Sequence, residues 1–340
     1  MRFDEAIYAH FLKKRRTRFM QNPTRFDTCK IVSIGNITTG GTGKTPAAQW
    51  LARRLAQNEK HVAIVSRGYG GTLSKTGAVV FDGKRVLVSA REAGDEPLLH
   101  ALALENVPVV IGRDRVRAVQ SAIEKFAPDV IVLDDAFQYW SLARDFDLVL
   151  LDARKPFGNG HLLPRGRLRE EPQQLQRAHA ILLTRCDAVS ENELRAIRNQ
   201  IAQFCDAPIY TSQHVPTILR DETNDRVLDV AELRNEKIAA ISAIADNIGF
   251  ACSLETLGAQ IVASCARRDH FAWRENDVRI FAKNAVDKGA KAIVTTAKDA
   301  VKIPTKSCAP LPLWVLDIEL RIDNEDALWD KIVTAINRDI

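Results

Sequence analysis

The sequence predicts an α/β protein with a mostly parallel β-sheet, and two observations support this. Short apolar runs recur along the chain with helical segments between them, and these runs are almost wholly apolar instead of alternating. Strands of that kind are buried on both faces, as in a parallel sheet covered by helices. The length of 340 residues is also enough for two domains, each with its own core.

The apolar runs define the predicted strands. In the first half of the chain these are residues 31–34, 62–66, 107–112, 130–135 and 148–152. In the second half they are residues 180–184, 209–212, 238–245, 292–296 and 314–320. A helix through Ala47, Leu51 and Leu55 follows the first strand, and Asp82-Gly83 predicts a hairpin turn.

The composition is typical of a soluble globular protein, with 46% hydrophobic and 27% charged residues and a net charge of +5. No apolar run approaches the ~18 residues of a membrane span, and the N-terminus lacks the pattern of a signal peptide. The six cysteines include no CxxC pair, which favours reduced thiols in the cytoplasm over a zinc site or disulfides.

The first 25 residues are strongly basic. Arginines and lysines outnumber the acids Asp4 and Glu5 there, and Phe3, Ile7 and Phe11 recur at helical spacing. This pattern is typical of a short amphipathic helix on an anionic membrane surface. A helix that packs by one apolar face on its own domain is the alternative.

A glycine-rich segment after the first strand is typical of phosphate-binding loops. Gly40 and Gly43 allow tight turns that bring backbone N–H groups close to an anion. Lys44 can reach terminal phosphates, and the Thr45 hydroxyl can hold Mg²⁺. Thr38 stands where the strict pattern has glycine, so the loop is a variant. The candidate phosphate-binding residues are Gly40, Gly41, Thr42, Gly43, Lys44 and Thr45.

These features predict the domain organisation. A P-loop NTPase-like parallel-sheet domain occupies residues 1–155 and carries the basic N-terminal helix. A second, smaller α/β domain occupies residues 156–340 and completes the cleft, and the two are joined by a short linker near residue 155 where the composition changes. A last helix near 325–337 could pack on either half.

The strand at 130–135 ends in two carboxylates, Asp134 and Asp135. In P-loop proteins an aspartate at such a strand end holds Mg²⁺ directly or through water. Neighbouring side chains on a strand point to opposite faces, so the two acids are expected to perform different tasks. Which of them contacts the metal stays open, and helix capping is the alternative role.

Three further clusters have both a functional and a structural interpretation. Arg67 follows a strand and could bind phosphate or lie in a surface turn. Asp95 and Glu96 lie at a probable helix start, where acids also serve as caps. His270 follows Asp269, and such a histidine is often structural.

These motifs occur in a fixed order along the chain. The series consists of Gly35-Asn36-x4-Gly41-x-Gly43-Lys44-Thr45-Pro46, Ser66-Arg67-Gly68-Tyr69-Gly70, Gly94-Asp95-Glu96-Pro97, Asp134-Asp135-x-Phe137-Gln138, Gly158-Asn159-Gly160-x-Leu162-Leu163-Pro164, Leu168-Arg169-Glu170, Asp269-His270 and Thr295-Thr296-x-Lys298-Asp299-Ala300-Val301-Lys302. This series, from about residue 30 to 303, closely resembles the tetraacyldisaccharide 4'-kinase family of lipid A biosynthesis. Each motif alone is weak evidence, whereas the ordered set is specific.

The resemblance implies transfer of the ATP γ-phosphate to the 4'-hydroxyl of an acylated glucosamine disaccharide 1-phosphate, with ATP and Mg²⁺ as cofactors. It implies a peripheral enzyme on the cytoplasmic face of the bacterial inner membrane, with no nucleic acid and no obligate protein partner. It also implies that Asp95 accepts or orients the hydroxyl proton and that His270 supports it across the interdomain cleft. The implied roles are catalytic for Lys44, Asp95 and His270, metal-binding for Thr45, Asp134 and Asp135, and substrate-binding for Asn36, Arg67, Arg169 and Glu170.

The chain departs from the family pattern at a few positions. Ala136 and Tyr139 stand where the family usually has Gly and His, and Arg165 and Arg167 add two cations near the cleft. Two other functions stay open. One is a membrane-associated ATPase with a deviant P-loop that acts as a protein-binding switch. Such proteins, however, carry a second lysine early in the loop, where this chain has Thr39. The other is an inactive scaffold that binds lipid.

Overall fold

The computed structural model describes residues 3–338 and confirms the α/β fold. The helices are α1 (Phe3–Met20), α2 (Lys44–Gln57), α3 (Ala90–Ala93), α4 (Asp95–Ala103), α5 (Arg115–Phe126), α6 (Glu191–Ala202), α7 (Asn247–Thr256), α8 (Glu275–Asp287), α9 (Ala297–Ala300) and α10 (Glu325–Ile336). The strands are β1 (Lys30–Asn36), β2 (Val62–Ser66), β3 (Ala78–Phe81), β4 (Val109–Ile111), β5 (Val130–Asp134), β6 (Phe146–Asp152), β7 (Ala180–Thr184), β8 (Ile209–Asp221), β9 (Arg226–Asp229), β10 (Lys237–Ser242), β11 (Gln260–Ala266), β12 (Ala292–Thr296) and β13 (Leu313–Ile322).

The chain forms two compact units that differ from the predicted division. Unit 1 comprises residues 1–93, 100–214 and 320–340, and unit 2 comprises residues 94–99 and 215–319. The predicted boundary near residue 155 falls inside unit 1 because β6 pairs with β1 and β7 pairs with β6. The last helix, α10, lies in unit 1.

The sheet of unit 1 has the strand order β3-β4-β2-β5-β1-β6-β7, followed by the start of β8. All these neighbours are parallel except the pair of β3 and β4. Their side chains are almost completely buried, as the unbroken apolar runs predict. Since β1 and β5 are adjacent, the loop after β1 and the acids at the end of β5 emerge side by side.

Unit 2 has a smaller sheet of order β11-β10-β12-β13, with all three pairs parallel. The end of β8 forms an antiparallel hairpin with β9. An apolar cluster that includes Val278 and Phe281 of α8 packs with Ile293 of β12 on one side of this sheet. A second cluster, containing Phe250 and Leu254 of α7, provides the other core region.

Helix α1 packs on the rest of unit 1 by one face and leaves Ile7 and Phe11 of its predicted apolar face exposed, whereas the side chain of Phe3 lies outside the described part of the structure. Leu12 is 6% exposed in a core cluster, and the Glu5 carboxylate accepts a hydrogen bond from the Leu162 N–H at 2.9 Å. Ile7 and Phe11 lie on another face and are 55% and 61% exposed. Both interpretations of this segment therefore retain a structural basis. Arg2 lies outside the described residues, and no helix within residues 3–338 is long and apolar enough to cross a membrane.

Candidate active site

The predicted phosphate-binding loop joins the end of β1 to the start of α2. Gly40 and Gly43 have φ values of 115° and 84°, in the region that side chains disfavour. A Cβ on Gly43 would lie 2.8 Å from Nε2 of His214, so glycine is required there for space as well. Helix α2 begins at Lys44, directly after Gly43, and directs its N-terminal N–H groups toward the loop.

Hydrogen bonds from neighbouring strands hold the loop in one conformation. The Asn36 amide donates to the Thr42 hydroxyl at 2.8 Å, and the Thr184 hydroxyl donates to the Thr42 carbonyl at 3.1 Å. The Arg185 guanidinium donates to the Gly41 carbonyl at 2.7 Å. Such a loop can bind phosphate without paying to order itself first. Asn36 is fully buried, so its hydrogen bond to Thr42 supports the loop from the protein interior.

Asp135 lies between two cations at the end of β5. Arg169 donates two hydrogen bonds to its carboxylate, at 2.6 and 2.9 Å, and Lys44 Nζ lies 3.8 Å from Oδ1. Burial raises the pKa of Asp135, but the charges of Lys44 and Arg169 outweigh it and hold the pKa well below its usual range. Asp135 is therefore an anion that fixes the two cations which would face a phosphate.

Asp134 has a different environment, because it is the last residue of β5 whereas Asp135 lies beyond the strand with a left-handed backbone, φ 53°. It is 1% exposed, and its Oδ2 lies 3.1 Å from Nε2 of His100. Its Oδ1 is buried and has no hydrogen-bond partner within residues 3–338. A buried carboxylate oxygen of this kind suits a cation or a metal-bound water, so Asp134 fits Mg²⁺. Thr45, another predicted metal residue, is the second residue of α2.

No group of three or more histidine, cysteine or acidic side chains in the described part of the chain is arranged to hold a metal ion.

Glu170 supports the neighbouring arginine from a buried position. It is fully buried and accepts hydrogen bonds from Arg177 at 2.6 Å and from Gln138 at 2.9 Å. Gln138 also accepts a hydrogen bond from Arg169 at 3.2 Å. Burial raises the pKa of Glu170, although the Arg177 charge opposes the rise. These contacts favour a role in orienting Arg169 over direct contact with substrate.

Unit 2 contains a second polar cluster, centred on Asp95 at the start of α4. Its Oδ2 lies 3.2 Å from Nδ1 of His270 and 2.9 Å from Nζ of Lys302. Burial raises the pKa of Asp95, but the hydrogen bonds from His270 and Lys302 and the Lys302 charge bring it below its ordinary value. The carboxylate is thus ionised and hydrogen-bonded, which suits a group that accepts a proton.

Lys298 extends this cluster through the neighbouring acids. Its Nζ lies 3.1 Å from both Glu96 Oε1 and Asp269 Oδ1. Burial lowers the pKa of Lys298, but these two acids outweigh that effect and raise it. The Asp269 carboxylate also accepts the backbone N–H of His270 at 3.0 Å, where the backbone is left-handed with φ 62°. The ring of His270 is therefore positioned by its own backbone.

Asp95 and His270 lie in the same unit, which corrects the expectation that His270 acts across an interdomain cleft. Residues 94–99 cluster with unit 2 because Asp95 and Glu96 pair with Lys302 and Lys298. The lysines belong to a motif whose roles the sequence left unassigned. The spacing of four residues between Lys298 and Lys302, shortly after a predicted strand end, is the sequence signal that could have identified them.

Arg115 is a buried arginine that sequence reasoning did not single out. It is 4% exposed at the start of α5, and its guanidinium lies over the Tyr139 ring. Burial and the nearby Arg67 charge lower the pKa of Arg115 to about 10. Tyr139 also donates its hydroxyl to Asp114 at 3.1 Å. The tyrosine thus stabilises the α5 start, and Arg67 is exposed near Arg115.

A glycine-rich loop followed by a lysine at the start of a helix, beside an acid at the end of the neighbouring strand, is typical of P-loop proteins, which bind nucleotide phosphates. The profile of the family described as "Tetraacyldisaccharide-1-P 4'-kinase" matches residues 4–337. The chain therefore belongs to this family, and it is an ATP-dependent phosphotransferase with an alcohol acceptor in lipid A biosynthesis.

Individual relatives agree with this assignment. The tetraacyldisaccharide 4'-kinase of Desulfatibacillum aliphaticivorans is 38% identical over 316 residues, covering 89% of this chain and 84% of the relative. The enzyme of the same name from Syntrophus aciditrophicus is 38% identical and covers 92% and 85%. A crystal structure of LpxK from Aquifex aeolicus in complex with ATP has a TM-score of 0.76 at 27% identity and covers 98% of this chain and 97% of that one. The kinase prediction is confirmed over the protein-switch alternative.

Proposed function

We propose that the phosphate-loop residues bind ATP and that Lys44 and Arg169 stabilise the γ-phosphate as it is transferred. Phosphoryl transfer depends on alignment and charge neutralisation more than on covalent chemistry. Asp135 supports both cations, since its pKa is held low and its carboxylate contacts each of them. Bound Mg²⁺ neutralises phosphate charge, and Asp134 with the Thr45 hydroxyl would hold it.

Asp95 is the proposed acceptor of the proton from the sugar 4'-hydroxyl. The Asp95–His270 contact carries this proposal, because a nucleotide switch has no alcohol to deprotonate. His270 and Lys302 hold the Asp95 carboxylate ionised and oriented. A weakly basic carboxylate is sufficient when the hydroxyl loses its proton late, during attack on phosphorus.

The acceptor proposed here is an acylated glucosamine disaccharide that already bears a 1-phosphate, as the names of the family and its related enzymes imply. Such a lipid resides in a membrane, and we place the enzyme peripherally on the cytoplasmic face of the inner membrane. Helix α1 supports this location, because Ile7, Phe11, Lys14 and Arg18 share its exposed face at helical spacing.

A direct transfer assay tests the function. The purified protein is mixed with Mg-ATP labelled at the γ-phosphate and with tetraacyldisaccharide 1-phosphate in detergent. We expect the label to appear in the lipid, with no transfer to the same lipid already phosphorylated at the 4'-position. Binding of ATP with neither hydrolysis nor labelled lipid would contradict the proposal and favour the inactive-scaffold alternative.

The membrane role of α1 predicts a specific loss of liposome binding. Replacing Ile7→Ser and Phe11→Ser together removes exposed apolar area while leaving the docked Leu12 in place. We expect the variant to bind anionic liposomes at least about 10-fold more weakly in sedimentation, since each buried apolar side chain contributes about 1.5–3 kcal/mol. Removing the whole helix would be less informative, because it would also uncover the core around Leu12.

The control is Ile280→Ser, which removes an isoleucine that is 62% exposed on α8. This variant is expected to bind liposomes like the wild type. Wild-type binding should also fall with added salt, since lysines and arginines near an anionic surface each contribute ~1 kcal/mol. Equal binding by the α1 double variant and the control would assign the helix a purely structural role.

A further inference from the structure

His100 is a buried histidine that contacts Asp134 and is not one of the predicted phosphate-binding residues. It lies on α4 within unit 1, and its side chain is fully buried. Its Nε2 lies 3.1 Å from Oδ2 of Asp134, which is itself 1% exposed. The contact therefore joins two side chains from which water is excluded.

Stability alone does not account for this histidine. When Nε2–H donates to the carboxylate, Nδ1 remains as an acceptor, and Nδ1 is buried without a partner in the described part of the chain. An unsatisfied buried polar atom is destabilising, whereas a leucine or methionine of similar volume would fill the same space at no such cost. The hydrogen bond to Asp134 is thus the feature that distinguishes His100 from an apolar residue.

The hydrogen bond has a geometric consequence for Asp134. A carboxylate can rotate about its terminal bond, and one fixed oxygen determines where the other points. With Oδ2 held by His100, the buried Oδ1 has no hydrogen-bond donor within residues 3–338 and is available to a ligand. The arrangement resembles the outer-shell hydrogen bonds that orient ligating carboxylates in metal sites.

Asp135 provides an informative contrast on the same strand end. It is held by Arg169 and Lys44, which occupy both of its oxygens. Among the described residues, Asp134 has one side-chain hydrogen-bond partner, His100, which contacts one of its two oxygens. The two adjacent acids are therefore prepared differently, one to fix cations of the protein and the other to receive a cation from solution.

We infer that His100 is a positioning residue that orients Asp134 for the divalent cation of the metal–nucleotide complex. This inference rests on the proposed metal role of Asp134. His100 itself contacts neither the metal nor the phosphate. Tyr139 does not serve this purpose, because its hydroxyl is engaged by Asp114 and by the Arg115 backbone N–H at the start of α5.

The test measures metal binding directly, using Mn²⁺ as a spectroscopic probe for Mg²⁺. The full-length protein is titrated with Mn²⁺ in the presence of ATP and without acceptor, and free Mn²⁺ is followed by electron paramagnetic resonance. We expect His100→Leu to weaken Mn²⁺ binding to the protein–ATP complex by about 10- to 100-fold, the usual effect of losing an outer-shell partner. Binding of ATP without metal should stay within about 2-fold of wild type.

A second variant separates the hydrogen bond from packing. In His100→Gln the side-chain amide carries an N–H donor at a reach close to that of Nε2. We expect it to restore Mn²⁺ affinity to within a few-fold of wild type, while His100→Leu retains a normal melting temperature. His61→Leu is the matched control, because His61 is an exposed histidine beside Asp129, 3.9 Å away, and should change nothing.

Asp134→Asn separates failure of this inference from failure of the proposed metal site. If Asp134→Asn loses Mn²⁺ affinity while His100→Leu binds like wild type, the role of His100 is refuted and the metal role of Asp134 stands. If neither variant changes Mn²⁺ affinity, both are refuted. Weak binding by both His100→Leu and His100→Gln would also overturn the inference, since the donor would then not be what matters.

Discussion

Lys44→Ala is expected to lower kcat for phosphoryl transfer by about 10³-fold, the largest effect of any single substitution in unit 1. The ammonium group is the one cation delivered by the loop itself, at the first residue of α2. Charge on the transferring phosphoryl group must be neutralised, and removal of one preorganised donor costs about 10²- to 10³-fold in related settings. The measurement is lipid phosphorylation at saturating ATP and acceptor.

The Lys44→Ala variant has a second consequence within the protein. Without Lys44, Asp135 keeps Arg169 as a partner but loses one of the charges that lower its pKa. The fold should therefore survive, and the melting temperature serves as a check. Lys60→Ala is the matched control, because Lys60 is exposed just beyond α2 and should leave kcat unchanged. Transfer by Lys44→Ala at the wild-type rate would refute the phosphate-loop mechanism.

The first unit shows how far local sequence patterns determine a site. The strands β2 and β7 match their predicted ranges exactly, because a continuous apolar run leaves no choice of register or exposed face. The glycine loop and the strand-end acids follow from the same pattern, since β1 and β5 are neighbours in the sheet. These features are local, and each can be read from a few consecutive residues.

The irregular segment after the predicted linker near residue 155 shows what sequence reasoning leaves open. Residues 157–172 are rich in glycine, proline and arginine, a composition typical of a loop. In the structure this segment packs on the phosphate loop, where the Arg169 N–H donates to the Ile37 carbonyl at 2.7 Å. Irregular backbone is fixed by long-range hydrogen bonds of this kind, which have no periodic signal.

The division of the chain into two units could not be predicted from the sequence for a related reason. Strands β8 and β13 each continue from one unit into the other, so no change of composition marks the boundaries at residues 214 and 320. Strand β11 was also missed, because it is an edge strand with alternating and partly exposed residues such as Gln260 and Ser264. Its pairing with β10 depends on the neighbouring strand more than on its own sequence.

Asp95→Asn is expected to lower kcat by about 10²- to 10⁴-fold, the range for loss of a general base, with little change in the affinity for ATP. The amide is nearly the same size and can keep the hydrogen bonds at the start of α4, but it cannot accept the proton of the acceptor hydroxyl. Single-turnover transfer and separate ATP titrations distinguish the two quantities. An equal loss of both would instead identify Asp95 as a nucleotide ligand.

The pH dependence provides an independent test of the same role. The base acts when deprotonated, and the pKa of Asp95 lies below its ordinary value because His270 and Lys302 outweigh burial. In Lys302→Met the lysine hydrogen bond and charge are lost while burial remains, so the pKa of Asp95 rises. The acid limb of kcat/KM must therefore move to higher pH, since more of the base is protonated at any given pH.

Lys306→Met, at an exposed position after the same motif, is the control and should leave the limb in place. An unchanged acid limb in Lys302→Met, with a normal melting temperature, would show that Asp95 does not titrate as the base, because the ion pair at 2.9 Å is its closest cationic contact in unit 2 among residues 3–338.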